Sequence, residues 1–230
     1  MKVGKSTGTH ILINDEIARR IVSCINVKDK IVLEVGPGSG SLTKFINGYK
    51  ELYLIELQED FRQYLLGRFP NSTLIVGDAL KIQWPDFQIF ISNLPYNIST
   101  PILEKLQHKN FEEGVVMVQK EVAKRILASP GNGDYSRLSV GMQLRFKIKK
   151  CFDVSPGNFL PAPKVQSTVL HLEPSNNNLP EGFDEFLKKL FSERRKMIST
   201  ILGGPNFPPK RPEELTPKEL LELYSNIKQS

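Results

Sequence analysis

Five apolar runs, KIVLEV, ELYLIEL, STLIV, FQIFIS and EGVVMV, recur through the first half of the chain, each followed by turn or helix signals. They are too short for helices and rich in β-branched residues, so they read as strands. Their apolar residues occupy both alternations, which requires cover on both faces, and repeated strand–helix units with that requirement imply a parallel sheet between helical layers. The segments SLTKFING, QEDFRQYLLGRF, TPILEKLQHK and the KEVAKRILAS that follows the fifth strand are the expected helices; the third opens with Thr100 as N-cap and Pro101 at the first helical position. Beyond them RFKIKKCFDV and KVQSTVLHLEP, joined by SPGNFLPAPK, read as an antiparallel pair closing the sheet. The polar stretch EPSNNNLPEG is a linker, and FDEFLKKLFSERRKMISTIL and PEELTPKELLELYSNI are two further helices. The expectation is a Rossmann-like α/β domain over residues 1–173 and a small α-helical domain over 174–230.

Composition narrows the partners. No apolar run approaches the ~20 residues a membrane helix requires, and MKVGKSTGTHILIND lacks the apolar core of a signal sequence. Cys24 and Cys151 stand at no metal-like spacing, so neither a zinc site nor a disulfide framework is expected; the reading is a reduced, cytoplasmic, monomeric protein with no metal. A net charge of +6 favours a polyanion as partner.

The first candidate site is LEVGPGSG. Gly36, Gly38 and Gly40 follow a strand directly, where glycine lets the backbone approach a ligand and aim amides at it. The spacing departs from the dinucleotide pattern G-x-G-x-x-G, whose third glycine would fall at Ser41. Two residues before Gly36 stands an acid, Glu34, of no use to a pyrophosphate but suited to a ligand with an ammonium group. Glu56 ends the second strand, where a carboxylate can accept from both ribose hydroxyls, and Asp78 ends the third, within reach of an adenine amine. Three acids on consecutive strands at the carboxyl edge fit S-adenosylmethionine better than NAD.

The second site is NLPY, residues 93–96, at the tip of the fourth strand. Pro95 fixes its own φ, biases Leu94 toward extended backbone and offers no amide donor, so the turn displays acceptors: the Asn93 side-chain oxygen and nearby main-chain carbonyls. Tyr96 adds a flat face. An adenine exocyclic amine suits this set, because two acceptors on its hydrogens localise a lone pair otherwise delocalised into the ring. They also stabilise the positive charge that develops as a methyl group arrives. Tyr96 would stack on the base.

Taken together, VLEVGPGSGSLT, NLPYNISTP, VQKEVAKRILASPG, FLPAPKVQSTV and RPEELTPKELLEL resemble the rRNA adenine dimethyltransferases of the KsgA type, in order and over nearly the whole chain. The resemblance implies a class I S-adenosylmethionine-dependent methyltransferase that dimethylates two adjacent adenines near the 3′ end of small-subunit rRNA within a pre-ribosomal subunit. It implies cofactor contacts at His10, Leu12, Gly36, Glu56, Asp78 and Asn93, with Gly38 in the same turn. It places the target adenine near Asn93, Leu94, Pro95 and Tyr96, with Phe159 on the other face of the base. GTHIL departs from the family's G-Q-H/N-F-L at Thr9 and Ile11. Erm-type large-subunit enzymes, non-catalytic assembly or transcription factors on the same fold and a DNA adenine methyltransferase are the alternatives; the intact NLPY and acid set favour catalysis.

For RNA contact, RFKIKK sets Arg145, Lys147 and Lys149 on one strand face, although lysines also guard edge strands against pairing. In FDEFLKKLFSERRKMISTIL an apolar stripe at helical spacing is flanked by Lys188 and Arg195 on one side and Lys189 and Lys196 on the other, with Arg194 inside the stripe.

Overall fold

The computed structural model describes residues 10–175, 177, 179–204 and 207–229, so residues 1–9 of the segment read for a signal sequence, Thr9 among them, lie outside the described residues. In chain order the elements are β1 (Ile11–Leu12), α1 (Asp15–Val22), β2 (Ile31–Val35), β3 (Glu51–Glu56), α2 (Arg62–Arg68), β4 (Thr73–Val76), β5 (Ile89–Asn93), α3 (Ser99–Leu106), β6 (Glu113–Gln119), α4 (Lys120–Leu127), α5 (Arg137–Arg145), β7 (Phe146–Val154), β8 (Phe159–Leu160), β9 (Ser167–Pro174), α6 (Phe183–Ser192), α7 (Ile198–Leu202) and α8 (Pro217–Gln229). The chain divides into two compact units. One runs to Ala123 and resumes over Ile148–Pro174; the other comprises Lys124–Lys147 and the chain from Ser175. Besides the chain from Ser175, the second unit thus takes in Lys124–Lys147, with the end of α4 and all of α5, a helix the sequence reading did not include.

In the first unit a seven-stranded sheet has the order β4-β3-β2-β5-β6-β9-β7. The five strands read from the apolar runs pair in parallel, Val35 opposite Ile55 and Asn93 opposite Met117 among them, and β9 returns antiparallel to β6. Leu33, Leu54, Ile89, Phe90, Ile91 and Val115 are fully buried, as strands covered on both faces require. α1 supplies part of that cover: Asn14 caps it, accepting from Glu16 N and Ile17 N at 3.0 and 3.2 Å, and it buries Ala18, Ile21 and Val22.

Four local expectations are corrected. SLTKFING forms only a single 3-10 turn over Thr43–Phe45, because Asn47 and Gly48 stop it; Gly48 has φ +74°. α3 starts at Ser99, with Ile98 as its cap, so Thr100 and Pro101 lie inside the first turn, where backbone N–H groups lack intrahelical partners and Pro costs nothing. Arg145 is the last residue of α5, not part of the strand, which starts at Phe146. The long helix after the linker is two, α6 and α7, separated by Glu193–Met197. At the break Arg194 is fully engaged: its Nη1 donates to Tyr135 O at 2.8 Å and Gly133 O at 3.2 Å, and its Nε lies 3.4 Å from Glu213.

The second unit has its own core, in which Phe183, Leu187, Leu190 and Ile198 pack with Tyr135, Leu215 and Leu220. The Tyr135 hydroxyl donates to Leu215 O at 2.9 Å, which removes the penalty of burying it. α6 begins on Gly182, at φ +84°, where an added Cβ would lie 2.5 Å from the Tyr224 hydroxyl. Left-handed backbone costs a side chain roughly 1–2 kcal/mol. We expect Gly182→Ala to destabilise this unit by at least about that amount, read as a lower midpoint in chemical denaturation.

Candidate active site

Parallel pairing brings the ends of β2, β3, β4 and β5 to one edge of the sheet, and the sequence places a polar group at each. Gly36, immediately after β2, donates its amide to Ile55 O at 2.8 Å. Gly36, Gly38 and Gly40 have φ of +71°, +54° and +73°, left-handed values that side chains rarely adopt. A Cβ on Gly36 would stand 3.4 Å from Pro95 Cδ, so the glycine turn and the NLPY turn are in direct contact.

Glu56, 5% exposed, receives Gly38 N on Oε2 at 3.0 Å and Gln58 N on Oε1 at 2.9 Å. Burial pushes its carboxyl above the usual range, and the amide donors pull it back toward the ionised form. Glu34, 1% exposed, accepts from the Thr43 hydroxyl at 2.6 Å. Burial raises its pKa from 4.5 to about 8; the Thr43 hydrogen bond opposes the rise and the charge of Glu56 adds to it. Asp78, just beyond β4, is partly exposed, accepts from Leu80 N at 2.9 Å and has Oδ2 3.7 Å from Lys81. Its turn is tied to α3 by Lys105, whose Nζ donates to the carbonyls of Ala79, Leu80 and Ile82 at 2.6–3.2 Å.

Two adjoining clefts open on this edge, with Gly36, Gly38 and Pro95 in the lining of both. One holds Glu56, Asp78 and the apolar Ile55, Leu57, Ala79 and Ile98. The other holds Glu34, His10, Leu12, Asn93, Leu94 and Tyr96. The Asn93 Nδ2 donates to His10 O at 3.3 Å, which turns the amide so that Oδ1 remains to accept. Leu94 donates its amide to Met117 O at 3.1 Å and buries its side chain, so its peptide is anchored to β6. The Tyr96 hydroxyl lies 2.7 Å from that of Ser167, and its ring centroid is 5.0 Å from that of His10.

The structure therefore gathers every expected cofactor residue, and Asn93 to Tyr96, around these two clefts. It does not bring Phe159 there. β8 pairs with β1, Leu12 opposite Phe159 and Ile11 opposite Leu160, and alternation turns Phe159 into the core at 3% exposure and Leu160 outward at 64%. Thr43, Lys105 and Ser167 escaped the sequence reading; each is a common residue type whose role comes from a partner distant in sequence. The structure also sets the Cys151 thiol beside Cys24, where burial and that neighbour push the Cys24 thiol up to about 11. Glu113, His171 and Glu173 form a group between β6 and β9, with the imidazole 3.5 Å from Glu113 and 3.9 Å from Glu173 and one possible ligand atom of each within 4.8 Å of the others.

Among the basic residues, Lys147, Lys149, Lys188 and Arg195 are exposed. Lys196 pairs with Glu193. Arg145 is 11% exposed at its side chain and pairs with Asp184 at 2.7 Å, so its charge is already matched inside the second unit. With the helix broken at Glu193, Lys188 and Arg195 no longer share a helical face.

The site suits S-adenosylmethionine on its own chemistry. A carboxyl buried at the floor of one cleft accommodates an ammonium, and a carboxylate with both oxygens held by amides beside apolar walls accommodates an adenosine. Among the described residues no helix is long and apolar enough to cross a membrane.

Comparison with known proteins agrees with this chemistry. A family model described as ribosomal RNA adenine dimethylase matches residues 1–222. The ribosomal RNA small subunit methyltransferase A of Thermotoga maritima is 36% identical over 238 residues, covering 97% of this chain and 85% of that protein. The protein of the same name from Malacoplasma penetrans is 38% identical over 223 residues, covering 92% and 81%. Among solved structures, a dimethyladenosine transferase from Plasmodium falciparum superposes with a TM-score of 0.83 at 28% identity, over 96% of this chain and 98% of that one. The 23S rRNA methyltransferase ErmE superposes at 0.71 over 95% and 100%, and at 22% identity it shows the shared fold alone.

The state of Glu34 is measurable. With a pKa near 8 the free carboxyl holds its proton at pH 7, and a cation brought beside it lowers that pKa, so the proton leaves. Calorimetric titration with S-adenosylmethionine at pH 7, in buffers of different ionisation enthalpy, should show release approaching one proton and affinity rising toward pH 8; Glu34→Gln should abolish this release.

Proposed function

Since the chain belongs to the ribosomal RNA adenine dimethylase family, we propose that it dimethylates the exocyclic amines of two adjacent adenines near the 3′ end of small-subunit rRNA, using S-adenosylmethionine. Relatives at 36% and 38% identity named for the small subunit support that choice of RNA. The observation that carries the chemistry is the fixed Asn93 amide beside Tyr96, at the cleft that also holds Glu34.

When bound, S-adenosylmethionine supplies an electrophilic methyl group. Glu34 receives its ammonium, Glu56 its ribose hydroxyls and Asp78 its adenine amine. The target adenine lies against the Tyr96 ring. Asn93 Oδ1 and the Leu94 carbonyl accept its two N–H bonds, which draws the nitrogen toward tetrahedral geometry and stabilises its developing positive charge. No strong base is required, because the methylated ammonium loses its proton readily to water. The His10 carbonyl restrains the Asn93 amide, and the Met117 carbonyl, which accepts from Leu94 N, together with the Pro95 ring restrains the backbone that carries the Leu94 carbonyl.

The partner we assign is the small subunit before its assembly is complete, met by a monomer in the cytoplasm. Lys147, Lys149, Lys188 and Arg195 are exposed and suited to phosphate. Lys196 joins them through exchange of its surface pair, whereas Arg145 acts by holding α5 to α6 through Asp184.

Asn93→Ala should lower turnover on immature small subunits by about 10²-fold or more, the usual cost of one preorganised polar group, with the melting temperature nearly unchanged. No turnover by the wild-type chain on small subunits, or equal turnover on large ones, would overturn the assignment. Reversing Lys188 and Arg195 to Glu should weaken RNA binding and reduce the log–log salt slope by about two, one per lost phosphate contact, at constant cofactor affinity.

A further inference from the structure

The NLPY turn is held by more than its own backbone. Ser167, the first residue of β9, lies opposite Gln119 of β6 and is 0% exposed. Its hydroxyl, 2.7 Å from that of Tyr96, is placed by the sheet. The chain on either side of it is fastened: Lys120 binds Gln166 by main chain at 2.9 Å and by side chain at 2.6 Å, and the Thr168 hydroxyl donates to Asp153 at 2.7 Å. At the base of the tyrosine, the Ser99 hydroxyl donates to Tyr96 O at 3.2 Å. Along the ring lies His10, tilted by 39°, its own Nδ1 2.7 Å from Pro161 O. The phenol is thus fastened at its tip and at its backbone and flanked along its length, while Tyr96 still lines the cleft.

A ring that only filled space would need no fixed plane; a ring that supports a base does. Stacking sets the separation of two planes but resists rotation within the plane weakly, so orientation in the plane has to come from hydrogen bonds. Unmethylated adenine offers two N–H bonds to the acceptors of NLPY. After one transfer it offers one. The monomethylated base is therefore held by one hydrogen bond instead of two, and its tilt out of the acceptors' plane is set more by the plane of its support.

We propose that Ser167 is a positioning residue: by holding the Tyr96 hydroxyl it fixes the plane of the supporting ring, and so governs whether the second methyl group follows the first. The proposal rests on the reading that Tyr96 supports the target adenine.

Mass spectrometry of N6-monomethyl and N6,N6-dimethyladenosine, in rRNA from small subunits treated with purified enzyme, separates the possibilities. Ser167→Ala should raise the mono-to-dimethyl ratio by about fivefold, the scale of one hydrogen bond's net contribution, and slow the first transfer much less. Tyr96→Phe should give the same ratio, and the double variant should be no worse than either single one, because both remove one bond. Ser167→Thr, which keeps the hydroxyl, should restore dimethylation. A serine that merely supports the fold would lower the melting temperature and slow both transfers alike, and an unchanged ratio or additive single effects would overturn the proposal. If Tyr96→Ala leaves both transfers intact, the reading of Tyr96 as support fails and the proposal with it. If Tyr96→Ala abolishes transfer while Ser167→Ala gives the wild-type ratio, that reading stands and the role of Ser167 alone is refuted.

Discussion

Two short hydrogen bonds at the end of β2 govern the geometry of the whole site. Gly36 donates to Ile55 O on β3 at 2.8 Å, and the Ser92 hydroxyl on β5 donates to Val35 O at 2.6 Å. Between them they clamp the central strand to both neighbours at the point where its chain turns. Everything that recognises a ligand hangs from that clamp. The glycine turn is set between Glu56 on one side and NLPY on the other, and a Cβ added to Gly36 would come into van der Waals contact with the Pro95 ring. The reacting edge is consequently stiff, as electrostatic catalysis demands of groups that must not reorganise.

That stiffness has an electrostatic cost. Glu34 and Glu56 are buried side chains on adjacent strands, and burial raises the pKa of each. The protein answers differently for the two. Glu56 is given two backbone amides, which favour its ionised form; Glu34 is given one hydroxyl and left with a pKa near 8. A carboxyl in that condition keeps its proton until a cation displaces it, so binding of a cation there is coupled to proton release. The asymmetry matches a ligand that is cationic at one end and rich in neutral donors at the other.

Much of this was readable from residues. The buried parallel strands, the glycine turn out of register with a dinucleotide fingerprint, and Glu56 and Asp78 at strand ends follow from periodicity and from the rule that ligands meet open sheets at their carboxyl edge. Failures occurred where a local pattern met a distant partner. SERRKM has helical periodicity, but the helix breaks there, and Arg194 reaches the carbonyls of Gly133 and Tyr135. Arg145 looked like a free cation on a strand and is instead the end of a helix, paired with Asp184. Phe159 sits in a strand of two residues, and pairing with β1 turned it inward, which no string of letters encodes.

The sequence by itself determined the sheet, the identity of its carboxyl edge and the chemical types present there, because strand period and glycine and proline geometry are local properties of a chain. Only tertiary structure decided what state those groups are in. The high pKa of Glu34 comes from desolvation, the orientation of the Asn93 amide from the His10 carbonyl more than eighty residues away, and the hold on Tyr96 from Ser167 on a strand seventy-one residues later. Protonation, orientation and rigidity depend on the three-dimensional surroundings of a group, and those exist only once the chain has folded.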